Sequence, residues 1–275
     1  MKKRITLHGI AGKLLVALYS IFLLMPIYFV ISTSLKEGWE VSLNPLGLPS
    51  APQFRNFYDA IVQGSLVSAF SNSVLVTSCT IAVSLVLTLL LSYGLYKLFN
   101  TRAGFVFYTI IMLGLVIAPV GYINLILHYK SLHLYNTLLG VILCVASNSI
   151  PFSTFLMVGH FRSLPPDLTD AAIIDGCTDL KALVYIFVPL SKPIITTIVI
   201  LNLVTSWNNF LLPLLLLTDQ KLNTIPLSLM AFKGIFSVQY NLLFAALIIT
   251  AVPMLVLYLL FQKNFVEGLA GAVKG

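Results

Sequence analysis

The chain has 275 residues, 59% of them hydrophobic and only 9% charged, with a mean hydropathy of +0.99 and a formal net charge of +7. A soluble domain carries roughly 25% charged residues, so there is too little charge here to cover a water-facing surface, and lipid must be the solvent for much of it. The basic excess does not indicate nucleic acid, because no basic patch interleaved with aromatics is present. Cys79, Cys144 and Cys177 are scattered without CxxC spacing, which excludes a disulfide framework or a thiolate metal site.

The few charges are clustered, and the uncharged stretches between them run over residues 14–35, 60–96, 103–129, 131–161, 193–218 and 234–262. Each is long enough for one transmembrane helix of about 20 residues. In chain order they predict spans over residues 12–34, 70–96, 104–128, 137–159, 193–217 and 242–262, an all-α polytopic membrane protein with six transmembrane helices in a single domain over residues 1–275. With six spans both termini share one side with the loops after the second and fourth. That side carries 11 of the Lys and Arg residues and the other side 5, so both termini are expected to be cytoplasmic.

The N-terminal Met1-Lys2-Lys3-Arg4 and the apolar run behind it have the outline of a secretory signal. The run is too long for one and no small-residue cleavage site ends it, so it reads as a retained first span. The largest external loop follows, with Asn44-Pro45, Pro49 and Pro52 as turn formers. Its Trp39, Phe54, Phe57 and Tyr58 suit an interfacial belt or a partner contact. His128, His133 and His160 fall near span ends, where an interfacial role outweighs a ligating one.

The cytoplasmic loop over residues 162–192 carries explicit helix signals. Pro165 and Pro166 suit a first turn, Asp167 and Asp170 complement the positive end of a helix dipole, and Gly176 is a natural stop. Thr178 can cap a second helix, which Pro189 is expected to end. The loop therefore reads as helix, glycine turn, helix, lying along the inner membrane surface. Ala171 and Ala172 withhold bulk so that a partner's backbone can approach.

Within the spans the polar groups are neutral. Asn148 precedes Pro151, and Asn202, Ser206 and Asn209 recur at i, i+4, i+7 on one helical face, with Trp207 and Asn208 between them. Such a stripe lines a solute path or bonds neighbouring helices. All nine acidic residues lie outside the predicted spans. Coupling to protons or Na⁺ through a buried carboxylate is thereby excluded. A phosphate-cradling Gly-x₄-Gly-Lys-Ser/Thr loop is also missing, so any ATPase must be a separate subunit.

Asp170-Ala171-Ala172-Ile173-Ile174-Asp175-Gly176, with Pro189 and Pro193 downstream, resembles the Glu-Ala-Ala-x₃-Gly motif in the cytoplasmic loop of permease subunits of bacterial ATP-binding-cassette (ABC) importers, with Asp170 in place of Glu. Trp207-Asn208-Asn209-Phe210 is similar to the Trp-Asn-Glu/Asp-Phe segment of carbohydrate-importer permeases, Asn209 replacing the acid. Thr224-Ile225-Pro226-Leu227 resembles their outer-loop Thr-Leu-Pro-Leu. The Gly268-to-Gly275 tail, Asn72-Ser73 and Ser92-Tyr93-Gly94-Leu95-Tyr96-Lys97 are similar to the maltose-importer type.

The resemblance implies a type I ABC-importer permease fold in a bacterial inner (plasma) membrane, one half of a pathway for a di- or oligosaccharide. It implies a second homologous permease, two ATP-binding subunits and an extracytoplasmic sugar-binding protein as partners, with lipid around them and no cofactor of the chain's own, ATP being bound by the separate subunits. Asp170, Ala171, Ala172, Asp175, Gly176, Pro189 and Pro193 would then form the ATPase-coupling element. Gly268, Gly271 and Lys274 would let an extended or kinked tail run along the ATPase. The outer segment Asp219 to Asn241 would reach the binding protein. A permease for another neutral solute, such as a polyol or glycerol derivative, is the alternative, and a membrane-embedded transferase the remoter one.

Overall fold

The computed structural model describes residues 7–116, 121–165, 167, 168, 174, 176–234 and 237–273. These residues are helical wherever they are regular, with one isolated antiparallel bridge between Lys233 and Val238 and no strand. The helices in chain order are α1 (Leu7–Ser34), α2 (Gly38–Leu43), α3 (Arg55–Gln63), α4 (Leu66–Leu98), α5 (Arg102–Val116), α6 (Tyr122–Ser131) and α7 (Leu138–Ser163). After the loop come α8 (Asp179–Ala182), a π-helical turn (Leu183–Phe187), α9 (Val188–Leu190), α10 (Lys192–Trp207), α11 (Leu211–Leu216), α12 (Ile225–Ser228) and α13 (Tyr240–Val273).

Each predicted stretch holds helix. Leu15–Ser34, Leu66–Leu98 and Leu138–Ser163 are individually long and apolar enough to cross a bilayer, and Asp179–Leu190 with Lys192–Trp207, bent by 83° at Ser191, passes as a pair. Arg102–Leu115 and Tyr240–Val256 are shorter apolar helices.

Three expectations are revised. The third stretch is two helices rather than one, because Gly121 sits at φ 90°, in the left-handed region, ahead of α6. The fifth stretch breaks at residues 208–210. There the Asn209 carboxamide oxygen accepts from Leu212 N–H at 3.1 Å and starts α11 afresh. In the tail, Gly268 and Gly271 lie inside α13, which continues to Val273 instead of running extended. Each helical glycine costs only about 1 kcal/mol, and Leu269, Ala270 and Ala272 around them favour the helix.

The chain divides into two compact units, Met1–Val67 with Ser228–Met254, and Ser68–Leu227 with Leu255–Gly275. In the first, Ala60, Leu66, Phe232, Ala245 and Ala246 form the core. Most of α1 is apolar on all sides and left bare by the rest of the chain, with Leu15, Phe22 and Ile27 each more than half exposed, as lipid-facing helices are. Its C-terminal end is polar and enclosed. Lys36 is fully buried, donating from Nζ to Asn44 O at 2.7 Å and Pro45 O at 3.1 Å. Glu40 accepts from Ser50 N and Oγ, both at 2.8 Å.

The Ser50 hydroxyl and amide hold the Glu40 carboxyl below its usual range, with Lys36 adding to the effect. A depressed carboxylate contributes stability that is complete above the ordinary value of about 4.3 and is lost as pH falls through the folded-state value. Hydrogen exchange at the Ser50 amide should therefore be slow near neutral pH and lose its protection in acid. Glu40→Gln should remove that pH dependence. An unchanged profile in the variant would contradict the assignment.

In the second unit one core joins α4, α7 and α11 through Val76, Val141, Val145, Leu212 and Leu216. Gly114 permits the approach of α5 to α7, since a Cβ there would lie 2.9 Å from Pro151 Cγ. A second core at the other end of α4 supports the 162–192 loop.

Candidate functional site: the anchored loop and the polar seam

The loop over residues 162–192 leaves α7 and returns to α10, and both of its ends are fixed by aromatic packing. Phe161 at the end of α7 and Phe187 in the π turn are fully buried. Their ring centroids are 5.2 Å apart and 80° to one another. Tyr93 and Tyr96 near the end of α4 complete the cluster, at 5.1 and 5.4 Å from Phe187. Edge-to-face rings of this kind add roughly 0.5–1.5 kcal/mol per pair to their burial. Outside the cluster Lys97 reaches Asp179 at 2.6 Å, and the Arg162 guanidinium lies 3.8 Å from the Phe99 ring centroid. The ion pair is exposed and contributes little by itself; it orients more than it stabilises.

Between these anchors the chain turns at Gly176, whose φ of 71° is left-handed. Among the described residues a Cβ there would meet no atom within 4 Å, so the left-handed backbone is what calls for glycine. Thr178 then caps α8, accepting from Lys181 N at 3.5 Å. Pro189 does not end the second helix as expected: it lies in α9, inside the segment that runs on to Leu190. The π turn immediately before it changes the hydrogen-bond register, and a proline near the start of a helical turn forfeits no bond. Ser191 makes the 83° bend, and Pro193 sits in the first turn of α10. Asp170, Ala171, Ala172 and Asp175 lie outside the described residues, as does Lys274.

The predicted path residues separate into two groups. Asn202 is buried and donates to Ser84 Oγ at 3.0 Å across the α4–α10 contact. Ser206, four residues on, is buried too, its hydroxyl without a hydrogen-bond partner among the described residues. Trp207 is buried with its ring edge-to-face to Phe70, 5.9 Å between centroids. Asn148 and Asn208 are exposed, Asn208 donating to Val204 O at 2.9 Å, and Asn209 caps α11. Asn202 thus bonds a neighbouring helix, while Asn148 and Asn208 present their amides outward.

Several partners escape sequence reasoning. Ser73, Thr77, Thr80, Ser84, Thr88 and Ser92 form one buried hydroxyl-bearing face of α4. Their three- and four-residue spacing was a legible signal. Asn72 donates to Lys221 O at 2.8 Å and Asn223 O at 3.0 Å, and Ser73 Oγ accepts from Ile225 N at 2.8 Å. Two separate motifs, Asn72-Ser73 and Thr224-Ile225-Pro226-Leu227, are thereby one structural feature. Tyr93 and Tyr96 stand in the Ser92-to-Lys97 motif, but no sequence pattern joins them to Phe161 and Phe187, which come from two other elements.

Comparison with known proteins follows the same outline. The family model for the binding-protein-dependent transport system inner membrane component matches residues 44–269. The chain is 36% identical over 260 residues to the probable ABC transporter permease protein YurM of Bacillus subtilis, covering 94% of this chain and 86% of that one. It is 31% identical to the diacetylchitobiose uptake system permease protein NgcG of Streptomyces coelicolor, over 94% and 85% of the two chains. It is also 31% identical to the melibiose/raffinose/stachyose import permease protein MelC of B. subtilis, over 95% of each. Among solved structures, a chain of a bacterial ABC transporter involved in the import of alginate superposes with a TM-score of 0.81 at 22% identity, over 96% of this chain and 99% of that one, which shows a shared all-α polytopic fold. The protein is a transport component of the membrane and not an enzyme, and it belongs to the family of binding-protein-dependent transport system inner membrane components.

Proposed function

We propose that the chain is one half of an ATP-driven pathway that brings a di- or oligosaccharide into a bacterial cell through the inner membrane. It crosses the bilayer six times, over the stretches given above, with both termini cytoplasmic. A second homologous permease completes the path, two separate subunits bind and hydrolyse ATP, and an extracytoplasmic binding protein delivers the sugar. The chain itself binds no cofactor. Asp170, Ala171, Ala172, Asp175 and Gly176 form the surface on which an ATPase subunit seats, and the tail around Gly268, Gly271 and Lys274 extends toward the same subunits.

The observation that carries this reading is the clamping of both loop ends by Phe161, Phe187, Tyr93 and Tyr96. With its ends packed against α4 and α7 in this way, the loop transmits a push from a partner to those helices instead of absorbing it. The sugar assignment draws on relatives named for diacetylchitobiose and for melibiose, raffinose and stachyose, and on spans free of charge, which suit a neutral solute. Asn148, Asn208 and Asn209 supply amides to hydroxyls along the path. Asn202 and Ser206 set the helix spacing beside it, with Trp207 packed at its end. A polyol or glycerol derivative remains the second reading, since one relative at 33% identity is named for sulfoquinovosyl glycerol.

Deleting the gene and supplying it back, with radiolabelled diacetylchitobiose, melibiose, raffinose and glycerol offered in turn, tests the assignment. Uptake of at least one saccharide should disappear and return with the gene. Loss confined to glycerol, or no loss at all, would contradict it.

A further inference from the structure

The first unit holds a cavity of about 590 Å³ between α2, the Lys233↔Val238 turn and the start of α13, within the roughly 300–1,000 Å³ of small-molecule sites. Its lining mixes apolar surface from Val41 and Val238 with polar groups: Ser42, Gln239, Tyr240 and Asn241 contribute hydroxyls and carboxamides, and Lys233 is the single charged residue among the described ones. Among the described residues no carboxylate lines it, which does not suit a cation site built on acidic ligands.

One acceptor is set in advance. Asn56 is buried and spends both Nδ2 hydrogens on Ser34 O and Lys36 O, each at 2.8 Å. Its own oxygen receives Asn241 Nδ2 at 3.3 Å. This fixes which way the Asn241 amide points and leaves its Oδ1 facing Gly38, 3.9 Å from where a Cβ would stand. Gly38 has no positive φ, so the backbone does not require glycine, and the missing side chain leaves the space beside Asn241 free. Tyr240 stacks on Phe244 with centroids 6.2 Å apart and rings 28° from parallel, yet stays about half exposed. It offers an aromatic face beside the amides.

We infer that this cavity is a saccharide subsite. Carboxamides donate and accept together, matching the paired hydroxyls of a sugar ring, and the tyrosine face covers the ring's apolar side. The inference rests on the proposed sugar-import reading, whose orientation puts residues 219–241 outside, where solute arrives. The site would hold a sugar released from the binding protein before it enters the membrane path.

The test uses the assembled transporter in lipid nanodiscs without binding protein. Diacetylchitobiose, melibiose and raffinose are probed by saturation-transfer NMR, beside an ATP-driven uptake assay of the same sugars with binding protein present. A sugar that is taken up should show transfer, and Gly38→Leu, whose side chain intrudes on the space beside Asn241, should weaken the affinity read from the transfer titration by about tenfold or more, equivalent to about 1.4 kcal/mol. Gln239→Ala and Ser42→Ala, milder variants checked for intact assembly by elution volume, should each weaken it in the same direction. Uptake without transfer, or transfer equal in all variants, would overturn the subsite and leave sugar import standing. Uptake of none of these sugars, with transport of a non-saccharide solute, would overturn the import reading and the subsite with it.

Discussion

Phe187→Ala should lower the stability of the chain by about 3–5 kcal/mol, the usual cost of removing a buried phenyl ring, and should cut ATP-driven uptake by about tenfold or more. Phe187 is fully buried and meets Tyr93, Tyr96 and Phe161 within 5.4 Å between centroids. Its loss leaves a void at the point where the returning arm of the loop meets α4 and α7. The loop then moves without moving the helices, so ATP hydrolysis continues while transport fails. Phe187→Leu, which refills part of the void, should recover part of both losses. The decisive quantity is uptake per ATP hydrolysed. A normal ratio in Phe187→Ala would mean that the cluster serves stability alone.

The second large effect is expected at Gly176. Its φ of 71° costs an ordinary L-residue about 1–2 kcal/mol, and asparagine less. With no atom of the described residues within 4 Å of a Cβ, a substitution meets no clash among them. Gly176→Val should therefore shift the turn, with co-purification of the ATPase subunits and sugar uptake falling together by about tenfold or more. Gly176→Asn should retain most of both, because it tolerates the left-handed turn. If asparagine fails as completely as valine, bulk against the partner is the cause, and the ATPase approaches this residue closely. Normal uptake in Gly176→Val would remove the turn from the coupling account.

The contrast between these two sites explains how far the sequence could be read. Gly176 was legible alone, because a glycine between two capped helical patterns has a conformational meaning that needs no tertiary structure. Phe187 was not: Phe161, Tyr93 and Tyr96 belong to distant stretches, and aromatic residues are common throughout an apolar chain. The helical stretches were visible in the gaps between charges, since hydropathy is a bulk property. Breaks inside them at Gly121 and Asn209 were hidden, because a backbone interruption changes hydrogen bonding without changing hydropathy. The tail misled in the opposite direction. Gly268 and Gly271 suggested extension, but the helix from Tyr240 carries through them at modest cost.

At the polar seam, spacing put Asn202, Ser206 and Asn209 on one helical face; Asn202 and Ser206 lie within α10, but Asn209 falls past its end, in the break before α11. Spacing alone could not say what that face meets. The meeting surface is the hydroxyl row of α4, where Ser84 takes the Asn202 hydrogen bond. Serine and threonine pass as nearly apolar in a transmembrane pattern because they can bond to their own helix, so the row does not interrupt the hydrophobic signal. Lys36 is a further case. Its charge helped to mark where the first span stops, yet its side chain is enclosed and holds the turn at Asn44 and Pro45.

The central claim is that the chain moves solute only when a separate ATPase drives the anchored loop. Proteoliposomes containing both permeases, loaded with binding protein and a labelled transported sugar on the outer face, should concentrate that sugar only when the ATPase subunits and internal ATP are present. Accumulation above the external concentration in vesicles that lack the ATPase subunits, driven by a proton or Na⁺ gradient or by no added energy source, would contradict the account.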